Sequence, residues 1–524
     1  MASTDYDSII IGGGHNGLAA AVHLSACGQK VALVEGAERL GGAVATEEVT
    51  LPGYRHDLYA MNLSLFAGSP FAKTYGEALA AHGLDYAPAR DCFASAFPSG
   101  RWFGVSNDVE VNAERAAAFD AGDAARWREM SAAFGGDAPY FFELLGTPMR
   151  LPTLARFALK TLRAKGLPWC VDAVRLLLAS PREFLDDNFS SPEVKATLAP
   201  WAMHLDFPPD ASGGALFPYL EAMADQAFGM ALGKGGADVV PKALASLLAA
   251  QDGTIIMGVA AKGIEVTGGR ADAVKLANGE VLRAREAVLA SVTPPGLMRL
   301  IGSTGKAHTD RALQNFKPGP GTLMIHVACD ALPEWSAGKA LQNFAYVHLA
   351  PSLATLSTTY AQAMEGLLPA EPAMVVGQPT AIDPSRAPQG KHVLWIQMRV
   401  VPALIKGDAA GEITATDWAD AKEAMADRAM AILERYAPGF GSHVLARTVH
   451  SPLDLERANP NLIGGDSLGG SHHLRQNFLL RPAAGMANYK TPIKGLFMIG
   501  SSTWPGAGVG AGSGFLAAKQ IAGR

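Results

Sequence analysis

The strongest constraint on the fold is a glycine turn near the start of the chain. Residues 8–11 are a short apolar run that ends in Gly12-Gly13-Gly14-His15-Asn16-Gly17. Helix-forming residues 18–27 follow, Gly28 closes them, and Val31-Ala32-Leu33-Val34 reads as a buried parallel strand. Strand, turn, helix and strand within about 30 residues form a right-handed βαβ unit. Gly12 permits the tight turn, Gly14 lets backbone approach a pyrophosphate, and Gly17 lets helix pack close to strand. His15 and Asn16 open a helix whose free N–H groups and partial positive charge suit phosphates. Glu35 ends the second strand, where a carboxylate accepts hydrogen bonds from ribose hydroxyls and repels a 2′-phosphate. The pattern therefore favours FAD or NAD over NADP.

At 524 residues the chain is too long for one compact core. Net charge is −5 and only 18% of residues are charged. No broad basic footprint exists for nucleic acid. Cys27, Cys92, Cys170 and Cys329 are scattered singly, which excludes a redox CxxC pair and a zinc knuckle and predicts buried, reduced thiols. Residues 1–7 are acidic rather than signal-like, and no apolar run of about 18 residues occurs. A cytoplasmic protein is expected.

Farther along, residues 71–250 read as mostly helical, with helices expected at 113–134, 140–145, 154–165, 171–179 and 191–204. The period then changes to short strands at 254–259, 262–266, 273–276, 280–282 and 287–290. Gly268-Gly269 and Asn278-Gly279 sit at the hairpins. Residues 393–400 form a strand-like run and 417–436 an amphipathic helix.

Glu35-x-x-x-Arg39-x-Gly41-Gly42 resembles the second flavin motif of the superfamily spanning amine oxidases and phytoene desaturases. NAD-binding Rossmann domains lack it, so the resemblance selects FAD as cofactor. Far downstream, residues 495–500 form a buried strand ending in Gly500, followed by Pro505-Gly506-Ala507-Gly508-Val509-Gly510 and a helix. The same superfamily closes its flavin site this way, and N–H groups there would stabilise charge in a reduced ring. Gly235-Gly236-x4-Pro241 resembles the return into the FAD domain, and Ala261 stands where relatives carry a valine against the adenine. Gly14-His15-Asn16-Gly17-Leu18, residues 52–57 and residues 480–496 are similar to the phytoene-desaturase-like branch named for pyridine nucleotide-disulphide oxidoreductase domain-containing protein 2.

The resemblance implies an α/β fold with a Rossmann-type FAD-binding domain of the two-dinucleotide-binding kind. That domain is expected to be discontinuous over 1–75, 230–298 and 466–524. A helical lobe over 76–229 and an α+β substrate domain over 299–465 complete it. FAD-contacting candidates are Gly12, Gly14, His15, Asn16, Gly17, Glu35, Arg39, Gly41, Gly42, Ala261, Gly500, Gly508 and Val509.

Flavin oxidations need little beyond hydride acceptance and a positioned substrate, so no catalytic base is required. Trp504, His473 and His56 are candidates for contact with flavin or substrate. His472-His473 lack a third ligand at metal spacing, so no metal is expected. The implied activity is hydride removal from a C–C or C–N bond of a largely apolar organic molecule. A redox-neutral flavin isomerase and a flavin-bound interaction scaffold stay open as alternatives. With no second GxGxxG, electrons would pass to oxygen or a quinone. The basic amphipathic stretch 149–175 leaves peripheral membrane contact open, as homo-oligomerisation is left open.

Overall fold

The computed structural model describes residues 4–523; the first three residues of the acidic 1–7 stretch lie outside it. Two seven-stranded sheets organise the chain. The first is centred on Thr4–Ile11, flanked in parallel by Val31–Val34 and Val281–Ala290. Thr254–Ile256 extends one edge and Leu496–Met498 pairs with Val281–Ala290. Strands buried on both faces need continuous apolar runs, as in Ile9-Ile10-Ile11 and Val31–Val34. Helices His15–Ala26, Val239–Ala250 and Gly512–Ala522 cover one face.

The expected hairpins form as an antiparallel meander of Ala261–Thr267, Arg270–Leu276 and Val281–Ala290. The two short strands expected at 280–282 and 287–290 are one continuous strand, because its first residues pair with the meander and its last with Leu496–Met498.

The second sheet runs Val444–His450, Gly321–Cys329, His392–Val401, Met374–Gly377, Tyr346–Leu349, Asp91–Ala96 and Trp102–Ser106. Helix Trp418–Tyr436 covers its outer face. The Asp417 carboxylate accepts from the Asp420 N–H at 3.1 Å, so the helix begins one residue after its cap. Strands Asp91–Ala96 and Trp102–Ser106 correct the mostly helical reading of residues 71–250. The Ala-Ser-Ala end of the first favours strand little, and it is held by a hairpin with the second and by the distant strand Tyr346–Leu349.

Within 76–229, one helix spans Ala121–Leu145 despite Pro139, so the segment expected at 140–145 is its last turn. Residues 113–134 divide between that helix and Val109–Ala117, because Asp120 caps a new start. Leu151–Leu178 is broken at Gly166, whose φ of 79° and ψ of 169° are not helical. Leu151, Leu159, Leu167 and Val174 are exposed on it, whereas Lys160 and Lys165 pair with Glu143 and Asp137. No helix among the described residues is long and apolar enough to cross a membrane. Cys92 and Cys329 are buried as expected, but Cys27 and Cys170 are only half-buried, each lying near a helix surface.

Candidate functional site

The glycine turn sits at the carboxyl ends of the parallel strands, the usual ligand position in an open α/β sheet. Gly12 has φ 102° and a Cβ there would stand 2.9 Å from the Ser291 carbonyl oxygen. A Cβ on Gly17 would stand 2.0 Å from the Gly12 carbonyl oxygen, so only glycine lets the helix start so close. Gly14 has no such crowding: its nearest neighbour is the Gly41 carbonyl oxygen at 4.0 Å, which leaves its backbone approachable. The Glu35 carboxylate accepts from the Gly13 N–H at 2.7 Å and the Ala37 N–H at 2.9 Å. It therefore fixes the turn as well as ending the strand.

The second motif lies directly against the first. Gly41 donates its N–H to the Gly13 carbonyl at 2.9 Å, and a Cβ on Gly41 would stand 2.3 Å from the Val44 carbonyl oxygen. Gly42 faces the Gly14 Cα and the Asn459 amide. Arg39 Nε pairs with Glu47 at 3.3 Å and Nη2 donates to the Tyr59 hydroxyl at 3.3 Å. Its Nη1 is buried with no partner.

The third element closes over the same place. Gly500, φ 104°, backs onto Ser291 as Gly12 does, and its N–H donates to the Ser513 hydroxyl at 3.0 Å. The Gly514 N–H donates to Asn16 Oδ1 at 3.2 Å, and a Cβ on Gly514 would stand 1.9 Å from the Asn16 carbonyl oxygen. Two helix N-termini from opposite ends of the sequence thus converge. His15 lies between them. Burial lowers its pKa to about 4, although a hydrogen bond with the Gly508 backbone acts the other way, so the ring is neutral. Gly508 has φ 102° and Val509 is buried in the helical layer of this domain. Ala261 opens the meander, next to Ala260, which packs on Gly36 beside Glu35.

The other candidates separate. Trp504 is buried, its ring 5.3 Å from Phe478 and beside Met149, with its indole N–H unpartnered. The histidine doublet splits: His472 Nε2 accepts from the Ala507 N–H at 3.1 Å, whereas His473 Nε2 turns to the Asp206 carbonyl at 2.6 Å. His56 is buried in the second-sheet region, bonded to the Thr50 hydroxyl at 2.7 Å, its ring 5.5 Å from His326. Burial, and then the Arg386 charge, lower its pKa to about 4. Among the described residues no group of three or more His, Cys, Asp or Glu side chains is placed to hold a metal ion.

Sequence reasoning missed the inner face of the second sheet. Phe93, Trp201, Tyr346 and Trp395 form an aromatic chain with centroids 5.0 to 6.4 Å apart. The Trp395 indole N–H donates to the Tyr59 carbonyl at 3.0 Å, which ties this face to Arg39 through Tyr59. The signal was the alternation Trp395-Ile396-Gln397-Met398-Arg399, with apolar residues against the outer helix and aromatic or polar ones opposite.

The residues fit a flavin dinucleotide on these grounds: a cradle that Cβ atoms would fill, two converging helix N-termini and an orphaned guanidinium nitrogen. Comparison with known proteins agrees. The family model described as flavin containing amine oxidoreductase matches residues 17–522. The chain is 29% identical to mouse (Mus musculus) pyridine nucleotide-disulfide oxidoreductase domain-containing protein 2, covering 99% of this chain and 93% of that one. It is 24% identical to the neurosporene-forming phytoene desaturase of Cereibacter sphaeroides, over 96% of this chain and 91% of that one. An oxidoreductase structure from Methanosarcina mazei superposes with a TM-score of 0.62 at 15% identity, covering 99% of this chain and 100% of that one. That likeness supports the Rossmann-like FAD-domain fold.

Proposed function

Because the chain belongs to the flavin-containing amine oxidoreductase family, we propose that this FAD-dependent oxidoreductase is a desaturase-type dehydrogenase or oxidase. In this reading it takes hydride from a C–H bond of a largely apolar organic substrate while the neighbouring carbon or nitrogen gives up a proton to solvent, so that a C–C or C–N single bond becomes double. The observation that carries the reading is the aromatic inner face of the second sheet, joined through Tyr59 to Arg39 and the glycine cradle.

Bound flavin supplies the hydride acceptor. Gly12, Gly14 and Gly17, with the N–H groups opening the helix at His15, hold the pyrophosphate. Glu35 orients the adenosine ribose while its other contacts keep the turn in place. Arg39 Nη1 donates to the dinucleotide, and Gly41 and Gly42 allow its close approach. Ala261 places backbone near the adenine. Gly508 and Val509 would bring backbone N–H groups to the ring edge, where negative charge develops on reduction, and Gly500, whose own N–H is held by Ser513, would keep the preceding turn in place. Tyr346 and Trp395 flank the apolar substrate and exclude water from the C–H bond that breaks. Oxygen or a quinone takes the electrons.

The test is anaerobic mixing of the purified yellow protein with apolar alkenes and amines while the visible flavin bands are followed. Bleaching by a substrate, with recovery on adding oxygen or a quinone, supports the reading. Product formed with no net acceptor reduction would instead establish an isomerase. A protein that cannot be loaded with FAD would end the reading.

A further inference from the structure

The inner face of the second sheet is not purely apolar. Strand alternation places Arg399 on the same face as Trp395 and Gln397, away from helix Trp418–Tyr436. Arg399 lines a small cavity with His204, Met203, Leu356, Met374 and Val375. Its Nε is buried and has no hydrogen-bond partner. Gln397 Oε1, both ring nitrogens of His348, Nε2 of His204 and Oδ2 of Asp225 are likewise buried and unpartnered. His348 and Gln397 are nearly or fully inaccessible. Leaving one such group unsatisfied costs about 1–3 kcal/mol, more if charged, so a concentration on one face marks a place where a ligand's polar group belongs.

The charge balance says which kind. Glu221 and Asp225 stand four residues apart on one face of helix Leu216–Phe228, and Glu221 acts on Arg399 electrostatically. Burial raises the Glu221 pKa to about 7 and pushes that of Asp225 well above the usual carboxylate range, with Glu221 adding to the latter effect. Burial also lowers His204 and His348, so both rings are neutral. Arg399 is lowered by burial only to about 10 and stays cationic. The face therefore carries one persistent positive charge with incomplete compensation, set among apolar and aromatic side chains.

We propose that Arg399 specifies the substrate: this face takes an amphipathic organic acid whose carboxylate is held by the Arg399 guanidinium, its apolar body lying along Tyr346 and Trp395. The proposal rests on the reading of this face as the substrate side of the flavin. The neutral His348 supplies a further hydrogen bond to the carboxylate through its one ring N–H, and Tyr346 is itself held by a hydrogen bond with the Asn62 backbone. The planar guanidinium fork suits a carboxylate better than an ammonium ion would.

Isothermal titration of the FAD-loaded protein with straight-chain fatty acids of graded length, and with their methyl esters, tests this. The expected result is binding of an acid at least about tenfold tighter than its ester. Arg399→Met should lower acid affinity about 10- to 100-fold and leave ester affinity unchanged, whereas Arg399→Lys recovers part of the loss. Flavin absorbance and thermal midpoint of each variant establish that it is folded and loaded. Equal binding of acid and ester, no binding of any acid in the series, or Arg399→Met binding acids as the wild type does would each overturn the proposal. The two readings fail separately. Flavin bleached by neutral hydrocarbons with no preference for acids keeps the oxidoreductase and removes the carboxylate site. Tight acid binding with no substrate able to bleach the flavin does the reverse.

Discussion

Arg386 and Asp57 form an ion pair in which both side chains are inaccessible to solvent, although 329 residues separate them. A third charge joins them: Asp383 lies 3.5 Å from Arg386 Nε, which makes no hydrogen bond of its own. Arg386 also donates to the Gly233 carbonyl at 2.7 Å. Asp57 accepts from the Thr46 hydroxyl at 2.6 Å and the Ala237 N–H at 2.7 Å. The pair thus pins the strand at His56–Asp57 and the Gly233–Ala237 turn to the segment before strand His392–Val401. Removing one partner strands a buried charge. Arg386→Ala is expected to cost about 3–5 kcal/mol. Chemical denaturation of the FAD-loaded protein measures it, and a loss under about 1 kcal/mol would contradict this account.

Gly17→Val should abolish flavin retention, because a Cβ at that position meets the Gly12 carbonyl oxygen at 2.0 Å. Gly76→Ala is the matched control: it lies in a helix with nothing near its absent Cβ, and should be neutral or stabilising by about 0.5–1 kcal/mol. The ratio of flavin to protein absorbance after gel filtration reports both.

Arg39→Met should weaken FAD binding about 10- to 100-fold while the fold persists, since a charge-assisted bond is worth about 1.5–3 kcal/mol. Released flavin fluorescence on dilution gives the dissociation constant. The variant should also gain less thermal stability from excess FAD than the wild type does.

His15 gives a pH dependence with a definite sign. Burial lowers its pKa from 6.5 to about 4, so between those values the unfolded chain binds a proton that the folded chain does not. Stability is therefore complete above pH 6.5 and declines as pH falls toward 4. His56, lowered to about 4, acts in the same direction. His15→Gln should flatten part of the decline in thermal midpoint between pH 7 and pH 5. A variant that declines as steeply as the wild type would remove His15 from the explanation.

Legibility in the sequence followed the range of the constraint. Gly17, Gly41 and Glu35 were readable because each answers a steric or hydrogen-bonding demand within about 30 residues of chain. The Asp57–Arg386 pair answers a demand set by two segments that meet only in the folded protein, so nothing near either residue announces it. The split of His472 from His473 depends on the backbone turning by one residue before the Ala507 loop. Arg399 was hidden for a different reason. Its strand pattern is visible, but which face is covered depends on helix Trp418–Tyr436 and on Glu221, from another part of the chain.

The meeting of Asn16 with Gly514 sets an order of events during synthesis. The glycine turn is made 498 residues before the wall that closes over it. While those residues are added, the ribosome-bound chain carries a half-built site. Enclosure of a flavin there would consequently wait for the second wall, and a chain stalled before residue 500 would leave the turn open.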